Sequence, residues 1–188
     1  RPGDIKYKDL NHDGVIDSND QAPIGYNPVP EMTFSLAAGL NWKGIDFSIL
    51  LQGAARSSIY LQQDIAWDNF WGNYYEEHIG RWTPETAATA TYPRFTKAAT
   101  PAHPNYYKSD YWLKDSKYLR LKNIQLGYTI PRKLLKKFGV RSLRVYANAY
   151  NLFTWDNVKK VDPESSNNSN GQFYPQQKVI NFGINLNF

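Results

Sequence analysis

Residues 180–188, Ile-Asn-Phe-Gly-Ile-Asn-Leu-Asn-Phe, alternate strictly between apolar side chains and small or polar ones. Successive side chains of a β-strand point to opposite faces, so a period of two predicts a strand with one apolar face. Four further stretches alternate in the same way, with Leu50 as the single exception, namely residues 33–43, 45–52, 123–130 and 143–150. The sequence therefore predicts five strands, each with an apolar face and a face of Asn, Gln, Ser, Gly and Tyr.

The connections between these strands differ greatly in length. Lys43-Gly44 predicts a tight hairpin turn, and residues 131–139 leave room for one short helix. The other two connections, about 55–117 and 154–177, are longer than the roughly 12–15 residues usual in compact soluble domains. Short turns at one end and long loops at the other are typical of an outer-membrane β-barrel. Because five strands cannot close a barrel in lipid, other strands are expected to complete it.

This pattern divides the chain into six segments. They are an extracellular loop with an Asp/Asn motif (1–32), a transmembrane β-hairpin (33–54), a long aromatic extracellular loop (55–117), a strand, periplasmic turn and strand (118–153), an extracellular loop (154–177) and a C-terminal strand (178–188). A soluble β-sandwich explains the alternation equally well, but it does not explain the unequal loops.

Composition and charge exclude several kinds of site. The 188 residues contain no Cys, which removes disulfides, thiolate metal sites and cysteine nucleophiles. The net charge of +5 is spread along the chain, so no nucleic-acid partner is expected. The densest basic stretch, residues 132–141, is interpreted as the solvated face of a helical turn, with contact to anionic lipid headgroups as the alternative.

The sharpest local motif is residues 9–20, Asp-Leu-Asn-His-Asp-Gly-Val-Ile-Asp-Ser-Asn-Asp. Its oxygen-bearing side chains and its glycine match the spacing of a calcium-binding loop, in which hard oxygen donors converge from a tight turn. The last position carries Asp where an EF-hand has a bidentate Glu, and an acidic turn without an ion is the alternative. We expect a structural calcium site. Its predicted ligands are Asp9, Asn11, Asp13, Val15 through its carbonyl, Asp17 and Asp20.

The segment 55–117 is rich in Trp and Tyr. Aromatic faces with a polar edge suit sugar rings or extended peptides, although such rings also pack long loops onto themselves or onto partner proteins. The candidate contacts for a ligand or partner are Trp67, Asp68, Trp71, Tyr74, Tyr75 and Trp82. Glu76 and Glu77 are neighbouring carboxylates, but the groupings of acid, base and nucleophile that an enzyme needs do not occur. We therefore expect no enzymatic activity.

Many ordered motifs resemble the C-terminal part of the SusC/RagA family of TonB-dependent outer-membrane transporters, over essentially the whole chain. These motifs are Pro2-Gly3-Asp4-Ile5-Lys6-Tyr7, Pro23-Ile24-Gly25, Gln52-Gly53, Arg81-Trp82-Thr83-Pro84, Tyr92-Pro93-Arg94, Tyr111-Trp112-Leu113-Lys114-Asp115, Tyr118-Leu119-Arg120-Leu121-Lys122-Asn123-Ile124, Leu126-Gly127-Tyr128, Asn151-Leu152-Phe153-Thr154 and Asp162-Pro163-Glu164.

The resemblance implies an all-β fold, in which the chain supplies the last five antiparallel strands of a transmembrane barrel of about 22 strands with a plugged lumen. It implies TonB-dependent import of oligosaccharides or peptides across the bacterial outer membrane. The implied partners are the remaining barrel and plug on the same or a separate chain, a SusD-like surface lipoprotein, TonB through an N-terminal part absent from this sequence, and outer-membrane lipid. The alternative function is a soluble surface glycan-binding β-sandwich with a structural calcium site.

Overall fold

A computed structural model describes residues 1–70, 72–97, 100–159, 161–165 and 176–188. Its strands are β1 (Met32–Trp42), β2 (Ile45–Ala55), β3 (Ser58–Tyr60), β4 (Leu113–Asp115), β5 (Tyr118–Thr129), β6 (Ser142–Asp156) and β7 (Val179–Asn187). One short α-helix, α1, covers Arg132–Leu135, and 3-10 helices cover Gln63–Ile65, Glu76–Gly80, Pro104–Tyr106 and Lys136–Phe138. None of these helices has the length and apolar character needed to cross a membrane.

The chain folds as two compact units. The first, called the loop unit, is built mainly from Arg1–Pro28 and Ser58–Asp115 and contains the small antiparallel pair β3–β4. The second, called the sheet unit, is built mainly from Val29–Ser57, Ser116–Glu164 and the segment that contains β7. Each unit has its own packing and is described separately.

The sheet unit is a five-stranded sheet in the order β1-β2-β5-β6-β7, with every neighbouring pair antiparallel. The predicted all-β fold with five antiparallel strands is thereby confirmed. At the predicted hairpin turn, Lys43 has a φ of 48° and Gly44 has a φ of 88°. Positive φ at both central residues is the geometry of a type I′ turn, whose twist matches that of the two strands it joins.

The strand register collects the apolar side chains of all five strands into common rows. One row consists of Leu40, Phe47, Leu126, Ala147 and Phe182, each paired with the next across the sheet. At the two ends of this row, Leu40 is 62% exposed and Phe182 is 83% exposed. The apolar face is therefore open to its surroundings, whereas a β-sandwich would bury such a face beneath a second sheet.

The opposite face carries the polar residues and is packed closely at its glycines. Asp46 of β2 and Arg144 of β6 form an ion pair across β5, with Arg144 Nε 2.9 Å from Asp46 Oδ1. The two side chains meet above Gly127, where a Cβ atom would lie 2.5 Å from both carboxylate oxygens. The ring of Tyr146 covers Gly183 of β7 in the same way. Glycine at these positions lets long side chains lie across the neighbouring strand.

The strands extend further than the alternation predicts, because bulges interrupt the period of two. The alternation itself covers only residues 123–130 and 143–150, whereas β5 begins at Tyr118, the start of the predicted segment 118–153, and β6 continues to Asp156, three residues beyond its end. Between β2 and β5 the register shifts at Leu50, which pairs with Asn123 while the next residue pairs with Leu121. Lys122 is therefore an extra residue in β5, and such a bulge exchanges the two faces of a strand.

Candidate functional site

The Asp/Asn motif lies in the loop unit and is held by its own side chains. Asp9 Oδ1 accepts a hydrogen bond from the His12 amide at 2.6 Å, and Asp9 Oδ2 accepts one from the Gly14 amide at 2.9 Å. Asp20, at the other end of the motif, accepts from the amides of Leu10 at 2.7 Å and Asp17 at 2.8 Å. These backbone donors, led by Asp17, lower the pKa of the Asp20 carboxyl because they stabilise its charged form.

The geometry of this loop agrees only in part with a calcium site. Asp13 Oδ1 accepts from the Val15 amide at 2.8 Å, and Gly14 has the positive φ of 84° that a tight turn requires. The described residues nevertheless contain no group of three or more His, Cys, Asp or Glu side chains arranged to hold a metal ion. The chemistry of the donor set fits calcium, since every proposed ligand is an oxygen. Calcium binding by residues 9–20 stays a prediction.

Two of the predicted contact residues, Trp67 and Asp68, are buried in the loop unit. Trp67 is 3% exposed, and its ring centroid lies 4.7 Å from that of Tyr106 and 5.8 Å from that of Phe70. Asp68 is 1% exposed. Both side chains therefore stabilise the loop unit from inside, as in the alternative in which the rings pack the loop onto itself.

The Asp68 carboxylate links its own segment to the segment 92–96 and to Tyr106 within the loop unit. Its Oδ1 accepts hydrogen bonds from the hydroxyls of Tyr106 and Tyr92, the latter at 3.3 Å, and its Oδ2 accepts one from the Thr96 amide at 3.0 Å. Burial, reinforced by this carboxylate, raises the pKa of both tyrosines. A buried carboxylate with three donors is a satisfied structural centre.

Tyr74 and Tyr75 present aromatic surface to solvent. Tyr74 is 56% exposed, and its ring packs against Phe95 at a centroid distance of 5.5 Å. The amide of Tyr75 donates to Nδ1 of the buried His78 at 3.0 Å, which fixes the start of the 3-10 helix Glu76–Gly80. These two tyrosines remain candidates for contact with a ligand or partner. Trp71, the neighbouring candidate, lies outside the described residues.

Trp82 lines a cleft of about 420 Å³ in the loop unit, together with Tyr111, Asp4 and Tyr92. Gly3 lies against the Trp82 ring with a φ of 84°, and a Cβ atom there would be 2.6 Å from the indole. The Tyr111 hydroxyl donates to the carbonyl of Thr91 at 3.0 Å, and burial raises its pKa to about 12. The cleft thus combines aromatic faces with polar edges, but it does not include the side chains of Trp67 or Asp68.

Sequence reasoning missed the buried contacts around Asn105, whose side chain is fully buried. Its Nδ2 donates to Asp4 Oδ1 at 3.1 Å, and its Oδ1 accepts from the Ile5 amide at 2.9 Å. Arg94 adds an ion pair to the same carboxylate at 2.7 Å. These partners are about a hundred residues apart, so no local pattern connects them. The available signal was the motif Tyr92-Pro93-Arg94, which carried the family resemblance.

Solved structures share the fold of this chain. The RagAB peptide importer in its open-open state superimposes with a TM-score of 0.67 at 24% identity, over 93% of this chain and 19% of the importer chain. The closed-closed state of RagAB gives a TM-score of 0.65 at 23% identity. At this level of identity, the similarity concerns the fold alone.

Sequence comparisons extend the match over the whole chain, although no protein-family model matches it. TonB-dependent receptor P26 of Formosa agariphila is 30% identical over 205 residues, which cover 99% of this chain and 20% of the receptor. TonB-dependent receptor SusC of Bacteroides thetaiotaomicron is 26% identical and is matched by 100% of this chain over 18% of its own length. The predicted resemblance to TonB-dependent receptors of the SusC/RagA kind is thereby confirmed over the whole chain.

The chain spans about a fifth of the length of the curated relatives it matches. That share fits the prediction that the sequence corresponds to a portion of such a protein. The matched relatives carry the names of receptors, which agrees with the expectation that the chain is not an enzyme. Glu76 and Glu77, the carboxylates considered for catalysis, are exposed at the beginning of their 3-10 helix.

Proposed function

We propose that this chain forms part of the barrel wall and the extracellular loops of a TonB-dependent transporter in the bacterial outer membrane. The transported ligand is an oligosaccharide or a peptide. The observation that carries the proposal is the exposed apolar face shared by five antiparallel strands. Similarity to SusC and to the fold of the RagAB peptide importer supports the same assignment.

In this role the apolar face contacts lipid and the polar face lines the lumen against the plug. β1 and β2 each contain 11 residues, a length that suits a tilted strand crossing the hydrocarbon core. The Asp46–Arg144 ion pair lies on the polar face, where water and the plug domain are available to it. Alternation between a lipid face and a polar interior is the pattern of transmembrane barrels.

The remaining barrel is proposed to pair with both edges of the sheet. Within the described residues, β1 pairs only with β2 in the five-stranded sheet, and β7 pairs only with β6. Unpaired backbone groups at these edges are costly in hydrocarbon, where no water can satisfy them. Completion of the barrel by other strands of the same transporter removes that cost.

Segments 1–32, 55–117 and 154–177 are assigned to the extracellular side, facing the ligand and a SusD-like lipoprotein. The exposed rings of Tyr74 and Tyr75 suit such a partner, because aromatic side chains are enriched at protein interfaces. The cleft beside Trp82 suits a sugar ring or an extended peptide, since stacking and hydrogen bonding are available together. TonB is proposed to act through a part of the transporter outside this chain.

We also propose that residues 9–20 bind calcium as a structural ion. The ligands would be the side chains of Asp9, Asn11, Asp13, Asp17 and Asp20 and the carbonyl of Val15. A bound divalent cation would offset the repulsion among four carboxylates in one short loop and would rigidify that loop. The supporting observation is the turn at Gly14, whose amide already donates to Asp9.

Fractionation of native cells tests the proposed role. After detergent extraction, the polypeptide is isolated with an antibody and whatever travels with it is identified by mass spectrometry. The proposal expects recovery from the outer membrane together with the remaining barrel and a surface lipoprotein. Recovery as a free, water-soluble 21.7 kDa protein would contradict it and favour the glycan-binding module.

A further inference from the structure

The apolar face of the sheet unit contains a groove of about 450 Å³. Ala147 lies in its floor between Leu126 and Phe182, its partners on the two neighbouring strands. Because Ala147 is much smaller than either partner, the apolar row dips at this point. Tyr128 and Val145, which pair with each other, continue the groove toward one end of the sheet. The lining is almost wholly apolar and is open along its length.

A basic turn lies at the same end of the sheet. Residues 131–141 connect β5 to β6 and carry Arg132, Lys133, Lys136, Lys137 and Arg141, all of them exposed. The sequence contains no acidic residue between Asp115 and Asp156. Asp46, the carboxylate on the facing strand β2, is on the polar face and is paired with Arg144. The turn therefore carries positive charge that is not neutralised by its own segment.

Of the large apolar residues in this turn, one is buried and two are exposed. Leu135 is buried, and α1 contacts β6. Leu134 and Phe138 are instead exposed, although they are large and apolar. Exposed Leu and Phe among lysines and arginines are typical of segments that lie in the interface of a membrane.

The separation along the strands between the groove and the basic turn matches the separation between the acyl chain and the headgroup of a phospholipid. Tyr128 precedes Pro131 by three residues, which at about 3.3 Å per residue is about 10 Å along the strand. Val145 follows Arg141 by four residues, so the groove begins about as far from the turn on the other strand. An acyl chain in the groove would thus place its headgroup among the basic side chains.

We propose that the groove and the basic turn together form a binding site for an anionic phospholipid of the membrane leaflet at the short-turn end of the sheet. The acyl chain lies over Ala147, and the phosphate and anionic headgroup pair with Lys133, Lys136 and Lys137. This inference rests on the proposed transporter role, because it requires the apolar face to be embedded in lipid. It assigns a defined ligand to the basic turn, for which the alternative interpretation is a solvated surface.

The test is native mass spectrometry of the complete transporter, purified from outer membranes in mild detergent and titrated with phosphatidylglycerol or phosphatidylcholine of identical chains. One variant replaces Lys133, Lys136 and Lys137 with Gln, and a second carries Ala147→Trp to fill the groove. The control for the first replaces the exposed Lys6, Lys8 and Lys178 with Gln. The control for the second is Ala38→Trp, on the same apolar face but outside the groove.

We expect phosphatidylglycerol to be retained at least tenfold better than phosphatidylcholine, since each basic residue near an anionic headgroup contributes about a fivefold gain. Both test variants should lose most of that preference, and both controls should keep it. Equal retention of the two lipids, or preferential retention of lipid A, would overturn the site. Absence of the protein from the outer membrane would instead contradict the proposed function, before any lipid is added.

Discussion

Nη2 of Arg120 lies 2.8 Å from both carboxylate oxygens of Asp162, and the arginine is only 2% exposed. Its Nε donates to Thr154 Oγ1 at 3.0 Å, and its Nη1 donates to Glu164. One buried cation in β5 therefore fixes the segment around Asp162-Pro163-Glu164, which follows β6. The desolvation penalty of a buried guanidinium is offset when acceptors surround it, and removal of any one acceptor lowers the stability of the protein.

The first prediction concerns this ion pair. Asp162→Asn keeps the size of the side chain but removes its charge, so Arg120 loses a charge-assisted partner while buried. We expect the free energy of unfolding of the detergent-solubilised transporter to fall by about 1.5–3 kcal/mol, measured by denaturant titration.

Glu31→Gln is the matched control, because the Glu31–Arg56 pair is exposed and its closest atoms are 3.7 Å apart. Its loss should cost no more than about 1 kcal/mol. Equal effects of the two substitutions would show that the Arg120 contacts do not stabilise the protein.

The second prediction compares alanine substitutions at two glycines in adjacent strands. A Cβ atom at Gly53 would lie 2.4 Å from the Phe34 ring and 2.7 Å from the backbone oxygen of Tyr118, whereas one at Gly39 would approach the Phe47 oxygen only to 3.6 Å. Gly53→Ala should therefore destabilise the protein by about 1–3 kcal/mol through overpacking, and Gly39→Ala should be nearly neutral. Denaturant titration checks both, and comparable costs would contradict the packing of Phe34 over Gly53.

The third prediction tests which face of β7 contacts lipid. Ile184→Arg places a charge on the apolar face and should reduce the stability of the assembled barrel by about 2–4 kcal/mol if the residue lies near the bilayer midplane. Asn181→Arg puts the same charge on the polar face of β7, opposite the neutral Asn148, and should be tolerated. The measurement is the yield of heat-resistant folded barrel on gel electrophoresis, and normal assembly of Ile184→Arg would contradict the assignment.

The sequence predicted the parts of the fold that depend on side-chain alternation. Phe182 and Ile184 are on the apolar face because a strand has a period of two, and Lys43-Gly44 forms the turn that its residue types favour. The short pair β3–β4 was not predicted, since three-residue strands are too short for a period to be visible. The bulge at Lys122 was also missed, because it reveals itself only through the register with β2.

The candidate site was less predictable for a different reason. Burial of Trp67 and Asp68 depends on rings and hydroxyls from residues 92–106, which no local pattern connects to them. The same residue types are equally suited to an exposed binding surface, as at Tyr74. Composition therefore predicted an aromatic loop, but only tertiary packing determines which rings remain available to a ligand.

The fourth prediction concerns calcium. Added Ca²⁺ should bind residues 9–20 with a dissociation constant of about 10⁻⁴–10⁻³ M, the range of extracellular calcium modules. Isothermal titration calorimetry on the chelator-treated transporter measures this directly. At about ten times the dissociation constant, binding should add about 1.4 kcal/mol of stability.

Asp9→Asn and Asp13→Asn should weaken this binding, whereas Asp110→Asn, an acidic residue outside the motif, should leave it unchanged. Unaltered calcium affinity in the Asp9 and Asp13 variants would assign the ion to another site. Absence of binding at millimolar Ca²⁺ would leave the loop as an acidic turn held by its own hydrogen bonds.

The central claim is that the five strands cross a membrane with their apolar face in lipid, and cysteine accessibility along β7 tests it most directly. The chain contains no Cys, so single cysteines can be introduced at residues 181–185 without background from this sequence. In purified outer membranes, cysteines replacing Phe182 and Ile184 should resist a charged maleimide, while those replacing Asn181 and Asn185 should react through the aqueous interior. Rapid labelling of the cysteines at 182 and 184 without detergent would contradict the barrel assignment.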